Sequence, residues 1–358
     1  MVRKTARIVK AIAPGQSACS DPVRHVFVEA AGRFYIHPNM AATRFTKLDL
    51  TNPQLREKLL PHCRLKLGEI WSDPNGRHAV GCGDATDRVF VRTIMQKRLA
   101  ALLAQDPPYN VAMFKRRTVA EYIEWCRQWV DTSTDVMSDD ATMYIWMGAD
   151  QKNHFQPLPE FMLMMAKTDF ESKSLVTLRN QRGYGTQKNW MAVRQELLSY
   201  TRGKPGFNVQ YTDIPKILRG YYKEVDGVVT ENIERGRSDC IRPGNVWVDV
   251  QQVFYRMEEN VSGCAAQKPL KAIERIVLAS SGEGDVVADF FAHAGTTLLA
   301  CERLGRRCVT LDIDPIYAEI AIRRMEHFRK TGKSGWQMGH PFEKELHKTD
   351  DAMSLSSL

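Results

Sequence analysis

The chain contains no CxxC pair, no Cys/His spacing of a zinc knuckle and no long apolar run. Its eight cysteines are scattered through 358 residues, which excludes a disulfide framework and a metal knuckle and reads as buried thiols of a reducing compartment. No metal is expected. The longest purely apolar stretches, such as FMLMMA at 161–166, fall far short of the roughly 20 residues that span a bilayer. The N-terminal MVRKTARIVKAIAPG lacks the apolar region of a signal peptide, so the expectation is a cytoplasmic protein with no membrane partner. Internal repeats and low-complexity tracts are also missing. Acidic residues are scarce at one end: residues 1–66 hold twelve Lys/Arg against four Asp/Glu, and the whole chain carries a net +8. That asymmetry suits a polyanionic partner, and it equally suits a solvated basic arm.

What is present begins with AQDPPYNVAMFKRR at 104–117. Two consecutive prolines fix two φ angles and remove two backbone donors, so this segment is neither helix nor central strand. The result is a stiff loop that holds Asp106 and Tyr109 in a set relation, as a site that positions a small planar group requires. A proline turn that merely ends a strand would look the same. Three cations follow, Lys115, Arg116 and Arg117, placed either for phosphates or as the start of a surface helix.

Around this loop, helical and strand patterns alternate. A helix near 87–98 is followed by a strand LAALLAQ, a helix TVAEYIEWCRQWV, a strand ATMYIWMG, a helix LPEFMLMMAK and a strand SLVTLRN. Such alternation predicts an α/β fold with a doubly wound, mostly parallel sheet. Residues 179–265, rich in Arg, Gly, Asn, Tyr and Trp, interrupt the pattern. It resumes with QKPLKAIERIVLASS, where Leu270, Ile273 and Val277 share a helical face. The expected divisions are a loosely structured basic arm over 1–75 with a hairpin in HVFVEAAGRFYIHP, then 76–178, 179–265, 266–330, and a polar tail over 331–358.

In the segment beginning GDVVADFFAHAGTTLLA, a strand runs into a turn of small residues and a helix, and a second strand ends in Asp312 and Asp314. Strand, tight turn, helix, strand and acid form the layout of a nucleoside-binding half of a doubly wound sheet. Asp312 lies seventeen residues beyond Gly295, near the spacing at which a carboxylate meets ribose hydroxyls. With one glycine in the turn, helix packing explains it equally well.

Together, DPPY at 106–109, GCGDA at 81–85, QKPL at 267–270, DFFAHAGTT at 289–297 and TLDIDPIYAEIA at 310–321 resemble the β class of amino-group DNA methyltransferases, over about residues 78–330. In that class the catalytic tetrapeptide precedes the S-adenosylmethionine (AdoMet) motif and a target-recognition region lies between them, a permuted order on a Rossmann-like fold. The resemblance implies N6 methylation of adenine in duplex DNA. Asp106, Pro107, Pro108 and Tyr109 would hold and stack on a flipped base. It implies cofactor contacts from Asp84, Lys268, Asp289, Phe291, Ala292, His293, Gly295, Thr296 and Asp312. Asp84 could instead cap the helix that follows.

DNA contacts are expected from Lys115, Arg116, Arg117 and Arg182, with Asn189, Arg235 and Arg237 as further base-reading candidates. A homodimer, a cognate restriction endonuclease and a prokaryotic or phage source belong to the same resemblance. One departure stands out, because His293 occupies the first glycine position of the family's FxGxG turn. N4-cytosine methylation and a decayed, purely DNA-binding chain remain open alternatives. C5-cytosine chemistry is disfavoured, since none of the sixteen prolines precedes a cysteine. Glutamine methylation of protein is disfavoured by motif order.

Overall fold

The computed structural model describes residues 48–109, 117–148, 154–184, 188, 190–216, 222–231 and 238–346, all within one compact unit from Phe45 to Leu358. In chain order the elements are α1 (Pro53–Leu59), β1 (Ile70–Ser72), β2 (His78–Cys82), α2 (Arg88–Met95), β3 (Ala100–Gln105), α3 (Val119–Thr134), β4 (Met137–Met147) and α4 (Leu158–Met165). There follow β5 (Glu171–Tyr184), β6 (Ala192–Arg202), β7 (Tyr222–Val225), β8 (Val228–Glu231) and β9 (Val246–Trp247). The last group is α5 (Leu270–Ser280), β10 (Val286–Asp289), α6 (Thr296–Leu304), β11 (Arg307–Asp312) and α7 (Pro315–Thr331).

Local chemistry sets the helix starts. The Asp87 carboxylate accepts from the N–H groups of Val89 and Phe90 and opens α2. Thr118 and Glu121 form a reciprocal capping box at α3. Asp314 caps α7, with Pro315 in its first turn.

Nine strands form one sheet in the order β1-β2-β11-β10-β3-β4-β6-β5-β9. The run β2, β11, β10, β3, β4 is parallel, whereas β6 lies antiparallel between β4 and β5. Side chains alternate across the pleat. Leu102, Tyr144 and Trp146 pack on the face that buries Ile273 of α5, Leu298 of α6 and Met325 of α7. Leu103, Met143 and Ile145 pack on the other, with Val91 of α2, Trp129 of α3 and Phe161 of α4. The chain leaves β3 for β4 in one direction and β10 for β11 in the other, so the switch point of the sheet lies between β3 and β10. A crevice outside the carboxyl ends of those two strands is where such sheets bind ligands.

The structure corrects three expectations. Residues 48–75 are not loose, since Leu48, Leu50, Leu59 and Leu65 are buried and α1 lies among them. The interruption expected at 179 falls inside β5, and β6, expected to be irregular, contributes Leu197 and Leu198 to the core. The polar tail does not begin at 331, because Phe342 is fully buried and the Arg323 guanidinium pairs with Glu345. The expected N-terminal hairpin and residues 347–358 lie outside the described residues.

Candidate active site

The buried strand β3 delivers the DPPY loop to the switch point. Its last residue, Gln105, is fully buried and ties the two central strands together, its side-chain oxygen accepting the Phe290 N–H at 2.9 Å. Asp106 follows, with one carboxylate oxygen accepting the Tyr109 hydroxyl at 2.8 Å and the other 2.8 Å from Lys268 Nζ. From α3, the Tyr122 hydroxyl donates to the Pro108 carbonyl at 2.9 Å. The Tyr109 ring lies against the end of β4, where a Cβ on Gly148 would come within 2.9 Å of it. Burial, with the Asp106 charge beside it, raises the Tyr109 hydroxyl above its ordinary pKa, so Tyr109 remains a neutral donor.

On the other side of the switch point β10 ends at Asp289, whose carboxylate accepts the Phe291 N–H at 2.9 Å. The Phe291 ring meets Trp125 and Trp129 of α3 edge-on, at 5.9 and 5.4 Å between centroids. His293 has φ 44° and Gly295 φ 67°, so the turn passes twice through the left-handed region. At Gly295 a Cβ would sit 2.6 Å from the Cα of Ala321, so only glycine fits. His293 tolerates its position because its N–H donates to Asp312 Oδ2 at 2.9 Å and its ring packs on Tyr317 at 4.9 Å.

Beneath this turn lies the fully buried Arg324. Its guanidinium donates to the carbonyls of Ala294, Ser334 and Glu259 and to the Thr296 hydroxyl, at 2.7 to 3.1 Å. Burial pushes the carboxyls of Asp289 and Asp312 up to about 7, against hydrogen bonds from Thr297 and Phe291 and from Asp314 and His293. Burial pushes His293 down to about 4, leaving it neutral.

Asp106, Lys268, Asp289, Phe291, Ala292, His293 and Thr296 line one small cavity with Ala104 and Trp146. The two halves of the sequence pattern therefore meet. Asp84 and Asp312 are not among the lining residues. Asp84 accepts the Thr86 N–H and hydroxyl, both at 2.8 Å, and the helix cap is Asp87, not Asp84. Gly83 N–H donates to the Asp312 carbonyl at 3.0 Å, which brings the Asp84 turn beside the end of β11. Arg117 lies over the Trp125 ring at 5.0 Å. Lys115, Arg116, Asn189, Arg235 and Arg237 lie outside the described residues, as does the side chain of Arg182 on β5.

Sequence reasoning missed Gln105, Tyr122, Trp125, Trp146 and Arg324. Two of these carried a signal, namely the polar Gln105 closing an apolar strand and Arg324 on the apolar face of α7.

Residues 101–323 match the family model N6_N4_Mtase, described as DNA methylase. The chain belongs to this DNA methylase family. The methylase is similar to the Type II methyltransferase M.HpaI of Haemophilus parainfluenzae, 28% identical over 230 residues that cover 63% of this chain and 68% of the relative. It is similar also to the DNA adenine methyltransferase YhdJ of Escherichia coli K12, 24% identical over 230 residues, 63% of this chain and 76% of the relative. Among solved structures, the PvuII DNA methyltransferase (cytosine-N4-specific) superposes with a TM-score of 0.52 at 12% identity, over 69% of this chain and 85% of that one. This last likeness concerns the fold alone.

Proposed function

We propose that this methylase transfers the methyl group of AdoMet to the N6 amine of adenine in a short, specific duplex sequence. The observation that carries the reading is the cavity at the switch point, lined both by Asp106 of the stiff DPPY loop and by Phe291, Ala292, His293 and Thr296 of the turn. An exocyclic amine is a poor nucleophile, because its lone pair is delocalised into the ring. The Asp106 carboxylate and the Pro107 carbonyl accept from that amine and let its nitrogen pyramidalise toward an electrophilic methyl. As the new N–C bond forms the nitrogen becomes cationic, and it then gives up one proton to water. Tyr109 stacks on the base, which must first leave the duplex.

AdoMet supplies a methyl group on a sulfonium, leaving as a neutral thioether that keeps the S–C electron pair. The residues present fit it: two buried carboxyls near neutrality, Asp289 and Asp312, flank the turn and suit a cationic ligand. Asp289, Phe291, Ala292, His293, Gly295 and Thr296 would hold it, with Asp312 and Asp84 toward the ribose and adenine.

DNA is read, in this proposal, by the β5–β6 ribbon. Pairing with β4 ends at Met147 opposite Glu196, but the ribbon continues through Arg179 opposite Arg194 to Tyr184 opposite Ala192. At about 3.4 Å per residue it projects roughly 14 Å past the edge that carries the DPPY loop. Arg179 and Arg194 are exposed on it, and between its strands Lys188 and Met191 are exposed and Trp190 is 90% exposed. A two-stranded ribbon with cations and an aromatic ring fits a major groove.

The test is to digest DNA methylated by the protein to nucleosides and identify the modified species by mass spectrometry. N6-methyladenine is expected. N4-methylcytosine alone would replace the adenine reading, and no AdoMet binding in a calorimetric titration would replace the enzyme by a DNA-binding chain.

A further inference from the structure

Lys268 stands where the family resemblance implies a cofactor contact, and its ammonium also meets the DPPY loop. Nζ lies 2.8 Å from Asp106 Oδ2 and faces the rings of Tyr109 and Trp146, at 5.2 and 5.8 Å from their centroids. The residue is 6% exposed. Its backbone is clamped on both sides: Gln267 accepts the Val261 N–H at 3.0 Å and donates to the Glu259 carbonyl at 2.7 Å, while Pro269 is the N-cap residue of α5. The QKP triplet is thus one device, in which glutamine pins the loop, lysine aims at Asp106 and proline opens the helix.

We propose that Lys268 is a positioning residue for methyl transfer, holding the Asp106 carboxylate in the plane from which it accepts the target amine. The proposal rests on the reading of Asp106 as that acceptor. A carboxylate offers about four acceptor positions and turns freely about its terminal torsion. With Tyr109 on one oxygen alone, it could still rotate about that bond. The second donor, on the other oxygen, fixes the plane and leaves acceptor positions for the amine.

Electrostatics alone argues the opposite way. The amine nitrogen gains positive charge during transfer, so a neighbouring ammonium should slow the reaction, and its removal should speed it. A fall in rate on removal therefore isolates geometry from charge.

The experiment compares the full-length wild type, Lys268→Met and Lys268→Ala on unmethylated phage DNA with radiolabelled AdoMet, alongside calorimetric AdoMet titrations. Lys268→Met should lower kcat by about 100-fold, the scale of a misplaced reacting group. Its AdoMet Kd and DNA KM should stay within about threefold, far less than one tenfold step in affinity. Propylamine should restore Lys268→Ala by about tenfold, and should leave Asp106→Ala unchanged, since it replaces the ammonium and not the carboxylate.

An unchanged or raised kcat in Lys268→Met overturns the proposal. So does a loss that no amine restores, which would make the lysine merely structural. A Kd weakened by about tenfold or more, with kcat within threefold, overturns it in favour of a cofactor ligand. A wild-type protein that methylates no DNA overturns the functional reading, and the proposal with it.

Discussion

The DPPY loop takes its shape from its own covalent structure, whereas the 291–296 turn takes its shape from what surrounds it. In the first, two prolines limit the backbone before any tertiary contact forms, and a few anchors finish the work: Tyr122 on the Pro108 carbonyl and Tyr109 against Gly148. In the second, small residues impose nothing, and two left-handed positions must be held from outside. Asp312 and Leu311 accept its N–H groups, and Arg324 takes the carbonyl of Ala294 and the hydroxyl of Thr296. Damage should therefore show as lost chemistry in the first loop and as lost folding in the second.

Arg324→Met should have the largest effect. It strips the carbonyls of Ala294 and Ser334 and the Thr296 hydroxyl of this buried donor and leaves the Glu259 carbonyl to Gln267 alone, at a cost of about 3 to 5 kcal/mol in urea unfolding. A cost below about 1 kcal/mol, the worth of one ordinary hydrogen bond, would break the comparison. Asp106→Ala comes next, and on the other axis. Turnover should fall by about 10² to 10³, or about 2.7 to 4 kcal/mol, while the protein stays folded with a lowered unfolding midpoint, because the buried Lys268 ammonium loses its partner. An enzyme within threefold of wild-type turnover would remove Asp106 from the chemistry.

Tyr122→Phe removes one anchor of the loop and should cost about 1 kcal/mol, divided between unfolding free energy and single-turnover rate. If the cost falls wholly on stability, prolines alone hold the loop.

The pH dependence is of similar or smaller size. Asp289 and Asp312 ionise near 7, against an ordinary value of 3.8, because burial disfavours their charge. The ligand-free protein should thus lose stability as pH rises from about 4 through about 7, where these carboxyls must ionise inside the fold. A cationic ligand favours the ionised forms. AdoMet should bind about fivefold more tightly at pH 7.5 than at pH 6, with release of protons that calorimetry in buffers of different ionisation enthalpy would detect. Binding independent of pH would place the ligand's charge away from both carboxyls.

His293→Gly is the mildest change. Relief of the left-handed backbone offsets the lost contact with Tyr317, so AdoMet affinity should stay within tenfold, about 1.4 kcal/mol, by titration. Binding that appears only in the glycine variant would show the imidazole obstructing the turn.

Much of this site was legible in the amino-acid order. Stiffness at Pro107 and Pro108 is a property of the residues themselves, and the alternation that leads to β3, β4, β10 and β11 repeats within a few residues. The turn and the acid at 312 followed from the same local pattern. The role of β6 did not, because its place between β4 and β5 depends on pairing with strands on both sides. Gln105 meets Phe290 across 185 positions and Arg324 meets Ala294 across 30. That Lys268, expected as a cofactor contact, also sets its ammonium on Asp106 was not legible, because it depends on the sheet bringing the start of α5 beside the DPPY loop. Backbone angles and periodicity are written in neighbouring residues. Which buried charge neutralises which depends on contacts between distant segments, and only the order of strands in the sheet decides those.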